Sequence, residues 1–281
     1  MRHILLLGFL FCSTLFSTEV DSFTLRDPFM QDALQELDAM IQRNFVQALQ
    51  EANRAHSCEP KVMKTAFHQT IKGVFWSLFE VDIENSEVLD RRTLDRADSI
   101  YRDVSLVEGS ALYLARLGYL MRVGDFYIGS DKFGHFLETG YDYSNYSSLD
   151  EAMKFGEMTE RTYFGLTTTG VYSYGDLASN LDGYAFWNRL TQYGKDSYFT
   201  CSNRTWTQQN RFTWADYINA AWDEGLNCNY YRNDHITNSV HNRIATLGMT
   251  CPVKSGYCQS MLEHYGYLSP RVVTTLCLES L

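Results

Sequence analysis

The residues most suited to chemistry lie in the stretch SDKFGHFLETGYDYSNY, residues 130–146. Asp131, His135 and Glu138 are spaced i, i+4 and i+7, so a helix would place them on one face. Such a face could offer ligands to a metal ion. However, i and i+7 lie about 10 Å apart along a straight helix, which is too far for one ion to bind both easily. The structural alternative is that Asp131 caps the helix and His135 donates to a core acceptor.

Glu138 is the candidate general acid of this stretch. The pattern predicts that it lies at the end of a helix that begins at Ser130 and ends at Gly140, next to Phe136 and Leu137. Apolar neighbours favour the protonated form of a carboxyl group, which a general acid needs at neutral pH.

A second carboxylate is sought in the next predicted helix, residues 149–161. Glu151 is explained by the capping box that begins with Ser148. Glu157 and Glu160 share one turn, and Glu160 is nearer to the glycine-rich segment that follows, so it is the better candidate to face a cleft. Glycoside cleavage uses two carboxyl groups in this way, one as acid and one to place water or stabilise the cationic transition state. Whether Glu138 and Glu160 meet depends on the fold.

The segment TYFGLTTTGVYSYGDL, residues 162–177, is rich in glycine, threonine and tyrosine. Its glycines allow a ligand to approach the backbone, its hydroxyls can hydrogen-bond, and its aromatic rings offer flat faces to sugars. The alternative is a hairpin with an aromatic core. It contains neither the GxxxxGK[ST] phosphate loop nor a GxSxG nucleophile elbow. The candidate substrate-binding residues are Tyr163, Thr167, Thr168, Thr169, Tyr172 and Tyr174.

The elements that must position these residues are predicted to be mainly helices. Four prolines and no long low-complexity segment favour one compact body over residues 18–281. Apolar spacing and capping signals predict helices at about 28–46, 59–79, 99–119, 130–139, 149–161, 174–190, 214–224 and 235–247. Residues 162–173 are predicted to form a hairpin or an irregular loop.

The N-terminus and the cysteines both indicate export. Residues 1–17 have a basic start, a short apolar centre and small residues before a cleavage point, as in a secretory signal. No later stretch is apolar for long enough to span a membrane. The six remaining cysteines are an even number, which favours disulfides over a zinc site, and five lie in the C-terminal part, about 200–281. Cys251 and Cys258 are close enough in sequence to close a small loop.

The charge of the chain limits its partners. The formal net charge is −10, and cleavage would remove Arg2 and make it more negative. Nucleic acid needs a basic surface, so it is not an expected partner. An anionic cell wall is equally unsuited. A cationic polymer, or no charged partner, fits an acidic protein, although solubility alone also explains such a charge.

Two short motifs resemble the lysozyme superfamily. Glu138-Thr139-Gly140 is similar to the helix end that carries the acid glutamate in goose-type lysozymes and lytic transglycosylases, and Gly165-Leu166 is similar to their Gly-Leu-Met-Gln strand. Thr167-Thr168 replaces Met-Gln here, and the intervening segment is longer. The resemblance covers about 50 residues. It implies a helical domain with a small β-hairpin at the cleft. Within the superfamily, the chain resembles the exported lysozymes of predatory bacteria that cut deacetylated peptidoglycan.

We therefore expect an exported, monomeric peptidoglycan glycosidase without cofactor or metal, secreted or periplasmic, with Glu138 and Glu160 as catalytic residues. Its acidic surface would favour deacetylated, cationic wall. Two other classes remain open. One is a non-catalytic envelope-binding or scaffold protein. The other is a metal hydrolase that uses His135 with His235 or His241.

Overall fold

The computed structural model describes residues 19–73, 77–192 and 194–279. The predicted signal at 1–17 lies outside these residues. About half of the chain is helical and the strands are few and short, which agrees with the predicted mainly α class. The α-helices are Leu34–Arg54 (α1), Pro60–Ile71 (α2), Leu78–Asn85 (α3), Ser110–Leu114 (α4), Asp131–Gly134 (α5), Gly140–Tyr143 (α6), Leu149–Arg161 (α7), Tyr174–Arg189 (α8), Asp234–Thr246 (α9), Tyr257–Tyr265 (α10), Ser269–Val272 (α11) and Thr275–Leu278 (α12).

The strands of the described residues form three small antiparallel sheets. Arg91–Arg92 (β1), Leu120–Val123 (β2) and Phe126–Gly129 (β3) form the first sheet in the order β1-β2-β3. Val171–Tyr172 (β4) pairs with Tyr230–Tyr231 (β7), and Phe199–Ser202 (β5) pairs with Thr205–Gln208 (β6). In the first sheet Leu120 is opposite Gly129, the last residue of β3. The helix α5 begins two residues later, at Asp131.

Several predicted elements differ from the structure. Of the two structures predicted for 162–173, the irregular loop forms and the hairpin does not, because residues 162–169 form consecutive turns and β4 pairs with the distant β7. Asp27 caps a turn rather than α1, which begins at Leu34. Of the predicted helix 99–119 only α4 forms, and the predicted helix 214–224 is two 3₁₀ turns, Trp214–Asp216 and Ala220–Trp222. The boundaries of α7, α8 and α9 agree closely with the prediction, and Ser148 and Ser173 cap α7 and α8.

The helix predicted to end at Gly140 continues through it. Asp131–Gly134 is followed by a π-helical turn, His135–Thr139, and then by α6. This helical segment packs closely on α8. A Cβ added at Gly140 would lie 2.7 Å from the backbone of Gly183, and one added at Gly183 would lie 2.1 Å from the carbonyl oxygen of Phe136. Gly140 therefore permits a close helix crossing and does not end the helix.

Aromatic side chains fill much of the core between α1, α2, α8 and the π-helical turn. Phe45 and Phe67 have ring centroids 5.1 Å apart, and Phe136 lies 5.1 Å from Phe186 and 5.0 Å from Trp214. The Phe45–Phe67 and Phe136–Trp214 pairs are edge-to-face, an arrangement that stabilises a core beyond the area that it buries. This core holds the π-helical turn in place.

All six cysteines after the predicted signal form disulfides: Cys58–Cys201, Cys228–Cys251 and Cys258–Cys277. The prediction of disulfides rather than zinc is confirmed, whereas a Cys251–Cys258 bond does not form. Disulfides are typical of proteins in oxidising compartments outside the cytoplasm. In the described ranges, no helix combines the length and the apolar character needed to cross a membrane.

Candidate functional site

A buried lysine lies at the centre of a polar group inside the protein. Lys132, at the start of α5, is 1% exposed. Its Nζ lies 2.8 Å from Asp131 Oδ2, 2.5 Å from Asp176 Oδ1 and 2.7 Å from Glu224 Oε1. Asp176 belongs to the first turn of α8, and Glu224 follows the 3₁₀ turn Ala220–Trp222. Three separate segments are thus joined through one ammonium group.

His135 continues this group on the next helical turn. Its Nε2 lies 3.0 Å from Asp176 Oδ2, and its Nδ1 lies 3.1 Å from Asn180 Oδ1. Because an amide oxygen only accepts, Nδ1 carries a proton and Nε2 is directed at Asp176. Burial alone would lower the pKa of His135, but the charge of Asp176 raises it to about 9.

Glu160 at the end of α7 completes the group. It is 2% exposed, and its Oε2 accepts a hydrogen bond from the backbone N–H of Ser173 at 3.2 Å. Burial, and then the charge of Asp176, raises the pKa of Glu160 to about 8. Burial acts in the same direction on Asp176, but the charges of His135 and Lys132 lower the pKa of Asp176. We call Asp131, Lys132, His135, Glu160, Asp176 and Glu224 the polar core.

Two sets of side chains in the polar core have metal-ligand spacing. The ligand atoms of His135, Glu160 and Asp176 all lie within 4.8 Å of one another, as do those of Asp131, Asp176 and Glu224. Lys132 Nζ is bonded to all three members of the second set, so only the first set can receive a cation without displacing the ammonium group.

The histidines predicted to join His135 lie elsewhere. His235 pairs with Glu108 at 2.8 Å, and His241 packs against Tyr231. Neither belongs to a potential ligand set among the residues that the structure describes. A metal hydrolase that combines His135 with His235 or His241 therefore has no support from the geometry.

The π-helical turn directs Glu138 away from the polar core. Glu138 Oε2 lies 2.9 Å from Nε2 of His68 on α2, whose ring stacks on Tyr141 with centroids 3.8 Å apart. Glu138 Oε1 has no hydrogen-bond partner in the described part of the chain. No hydrogen bond joins Glu138 and Glu160 within that part, so the two predicted catalytic residues belong to different groups of side chains.

Asp142 is the carboxylate next to Glu138, one turn further along the helix. Partial burial, and then the charge of Glu138, raises the pKa of Asp142. Asp142 lines a surface cavity of about 290 Å³ together with Asn145, Tyr146 and Phe155. A cavity of about 330 Å³ near Glu51 and Glu59 contains none of the candidate groups. Glu138 and Asp142 are called the surface carboxyl pair below.

Aromatic rings lie beside this cavity. Tyr146 and Phe155 have centroids 5.6 Å apart, and so do Tyr163 and Phe164. Tyr163 is close enough to Tyr146 to contribute, after partial burial and Asp142, to the raised pKa of Tyr146. Tyr163 and Phe164 are 54% and 65% exposed. We call these four residues the aromatic strip.

The other predicted substrate-binding residues have mostly local roles. Thr167 is exposed, but the Thr168 hydroxyl donates to the carbonyl of Tyr163 at 2.8 Å. The Thr169 hydroxyl donates to Gly165 O at 3.2 Å and is buried. Tyr172 is buried in β4, and Tyr174 packs edge-on against it with centroids 5.2 Å apart. Of this predicted set, Tyr163 is the aromatic side chain that the structure presents to solvent beside the cavity.

Sequence reasoning missed four residues: His68, Asp142, Asp176 and Glu224. Asp176 follows Ser173 by three residues, which is the spacing of a capping box, and its backbone N–H does donate to the Ser173 hydroxyl. Asp142 could have been identified from the sequence, because it follows Glu138 by four residues. Glu224 and His68 come from distant parts of the chain and carry no local signal.

No family model, curated protein or solved structure matches the chain.

Proposed function

We propose that this protein is an extracytoplasmic glycoside hydrolase that acts on the glycan strands of peptidoglycan through the surface carboxyl pair. The observation that carries the proposal is the proximity of Glu138 to Asp142, which lines a cavity together with the aromatic rings of Tyr146 and Phe155. Residues four apart on a helix have Cβ atoms about 5–6 Å apart. Paired glycosidase carboxyl groups lie about 5–9.5 Å apart, which this spacing can provide.

The proposal assigns a role to each carboxyl group. Asp142 donates the proton to the glycosidic oxygen, because its raised pKa favours the acid form. Glu138, held by His68 on the stacked Tyr141 ring, is the second carboxylate and activates water or stabilises the cationic sugar. Glu138 remains a catalytic residue in this proposal, but as the second carboxylate and not as the acid. Asp142 is the acid, and Glu160 has no catalytic role.

The aromatic strip supplies the proposed sugar-binding surface. Exposed aromatic groups that cluster beside a cavity are typical of ligand-binding sites. Flat aromatic faces suit sugar rings, and Asn145 adds an amide that can hydrogen-bond to hydroxyl groups. The net charge of −10 favours glucosamine-rich strands that have lost acetyl groups, since these carry ammonium groups.

The test is the release of soluble fragments from purified peptidoglycan before and after chemical deacetylation. Asp142→Asn and Glu138→Gln should each lower the rate about 100-fold or more while the protein stays folded. Tyr163→Ala should raise KM more than it lowers kcat. Glu87→Gln, an exposed carboxyl outside the site, is the matched control and should keep full activity.

Two results would contradict parts of this assignment. If Glu160→Gln abolishes cleavage while Asp142→Asn does not, Glu160 and not Asp142 is the catalytic partner of Glu138. If neither Glu138→Gln nor Asp142→Asn lowers the rate, the surface carboxyl pair is not the active site.

A further inference from the structure

The polar core contains more negative than positive groups. Its members Glu160, Asp176 and Glu224 are at least nine-tenths buried, and so are Glu19 and Glu80, whose carboxyl groups interact electrostatically with it. Lys132 pairs with Asp131, Asp176 and Glu224, and His135 pairs with Asp176. Buried carboxylates without a counter-charge are costly, and they are made neutral by protons or by a bound cation. The surface carboxyl pair makes no use of these groups.

Among the described residues of the polar core, Glu224 has a buried oxygen with neither a hydrogen bond nor an ion pair. Glu224 Oε1 accepts hydrogen bonds from Lys132 Nζ and from the Ser173 hydroxyl, both at 2.7 Å. Glu224 Oε2 is buried and has no hydrogen-bond partner within the described ranges. Ser173 also donates its backbone N–H to Glu160, so Glu224 and Glu160 flank the same residue. A proton or a further positive partner would satisfy this oxygen, which adds to the excess of buried acidic groups beside the ligand set considered next.

We propose that His135, Glu160 and Asp176 bind one divalent transition-metal ion of the zinc type. The set supplies one imidazole nitrogen and two carboxylate oxygens, and zinc accepts all three ligand types. An imidazole ligand disfavours magnesium and calcium, which prefer oxygen.

The geometry of the three ligands agrees with such an ion. A tetrahedral ion with ligands at about 2.0–2.2 Å brings them within about 3.4 Å of one another. Their atoms already lie within 4.8 Å, so side-chain rotations suffice. The Asn180 Oδ1 contact holds the Nδ1 proton of His135 and leaves Nε2 as the ligand atom, as the outer partners of metal-binding histidines do.

The remaining polar groups complete the surroundings of the ion. Lys132 stays bonded to Asp176 Oδ1, while Asp176 Oδ2 faces His135 and the ion. Three protein ligands leave a fourth position for water. His135, with 23% of its side chain exposed, marks the side on which an ion or a small molecule can enter.

The test measures zinc binding to the intact, disulfide-bonded chain by calorimetry, with metal content determined after dialysis. We expect one zinc per chain. His135→Gln and Glu160→Gln should each weaken binding at least tenfold, and Asn180→Ala about tenfold. His235→Gln is the matched control, since it removes a surface imidazole that also contacts a carboxylate, and it should bind like the wild type.

Two further measurements do not depend on variants. Cobalt added in place of zinc should give the intense visible absorption of a tetrahedral site. Zinc binding should release protons, seen as a dependence of the binding enthalpy on the buffer, because the ligands must be deprotonated. Equal zinc affinity in the wild type and in folded His135→Gln, or binding without one-to-one stoichiometry, would show an adventitious ion only and overturn the proposal.

Discussion

Lys132 is the residue whose loss the structure predicts to be most damaging. It is 1% exposed, and its ammonium group pairs with three carboxylates at 2.5–2.8 Å. Lys132→Met keeps an unbranched apolar chain of similar length and removes only the charge. Asp131, Asp176 and Glu224 would then remain next to one another without their shared partner.

The expected loss is large because solvent does not screen these ion pairs. Removing one partner of a buried ion pair typically lowers the free energy of unfolding by about 3–5 kcal/mol. The side chains of Asp131 and Asp176 are 16% and 12% exposed, which leaves some access for water, so we expect a value of about 3–4 kcal/mol at neutral pH. At an ordinary urea dependence this corresponds to a midpoint about 1–2 M lower.

The assay is urea unfolding followed by tryptophan fluorescence, with disulfides intact. Lys154→Met is the matched control, because Lys154 pairs with Asp150 at 2.7 Å but its side chain is 69% exposed. An exposed pair contributes little to stability, so its midpoint should not change measurably. The deficit of Lys132→Met should also shrink as the pH is lowered, since protonation removes the repulsion among the carboxylates. Equal midpoints for the two variants would refute the reasoning.

Two further variants test the polar core and the helix crossing. The pKa of His135 is about 9 in the folded protein and about 6.5 in an unfolded chain. The stability that its ion pair with Asp176 gives the fold is therefore fully present below about pH 6.5 and is lost as the pH rises through 9. The urea midpoint of the wild type should therefore fall more steeply across this window than that of His135→Gln, and parallel profiles would contradict the ion pair. Gly183→Ala should lower the thermal midpoint, because its Cβ would lie 2.1 Å from Phe136 O. The control is Gly256→Ala, whose Cβ would meet open space, and its midpoint should stay nearly unchanged. Equal effects of the two substitutions would contradict the close crossing.

Local signals in the sequence predicted local structure well. The capping serines Ser148 and Ser173 each accept a backbone N–H, and α7 and α8 begin where these residues predict. The even number of cysteines after the predicted signal indicated disulfides, and three form. Gly140 was misinterpreted because a glycine can end a helix or permit a close contact, and only the position of Gly183 distinguishes the two.

The candidate sites could be predicted only in part, because distant segments build them. The spacing of Asp131 and His135 placed both on one face; His135 contacts Asp176 directly, and Asp131 is joined to Asp176 through Lys132. The same spacing grouped Glu138 with them, but the π-helical turn rotates it towards His68. No local pattern predicts that turn or the approach of Glu224.

The central claim is tested most directly by the release of new reducing ends from purified peptidoglycan. The wild-type chain should cleave the wall, with a higher rate after deacetylation, and Asp142→Asn should not cleave it while its urea midpoint stays near that of the wild type. Absence of cleavage by a folded wild-type chain on both walls would contradict the glycosidase proposal and favour a non-catalytic envelope protein.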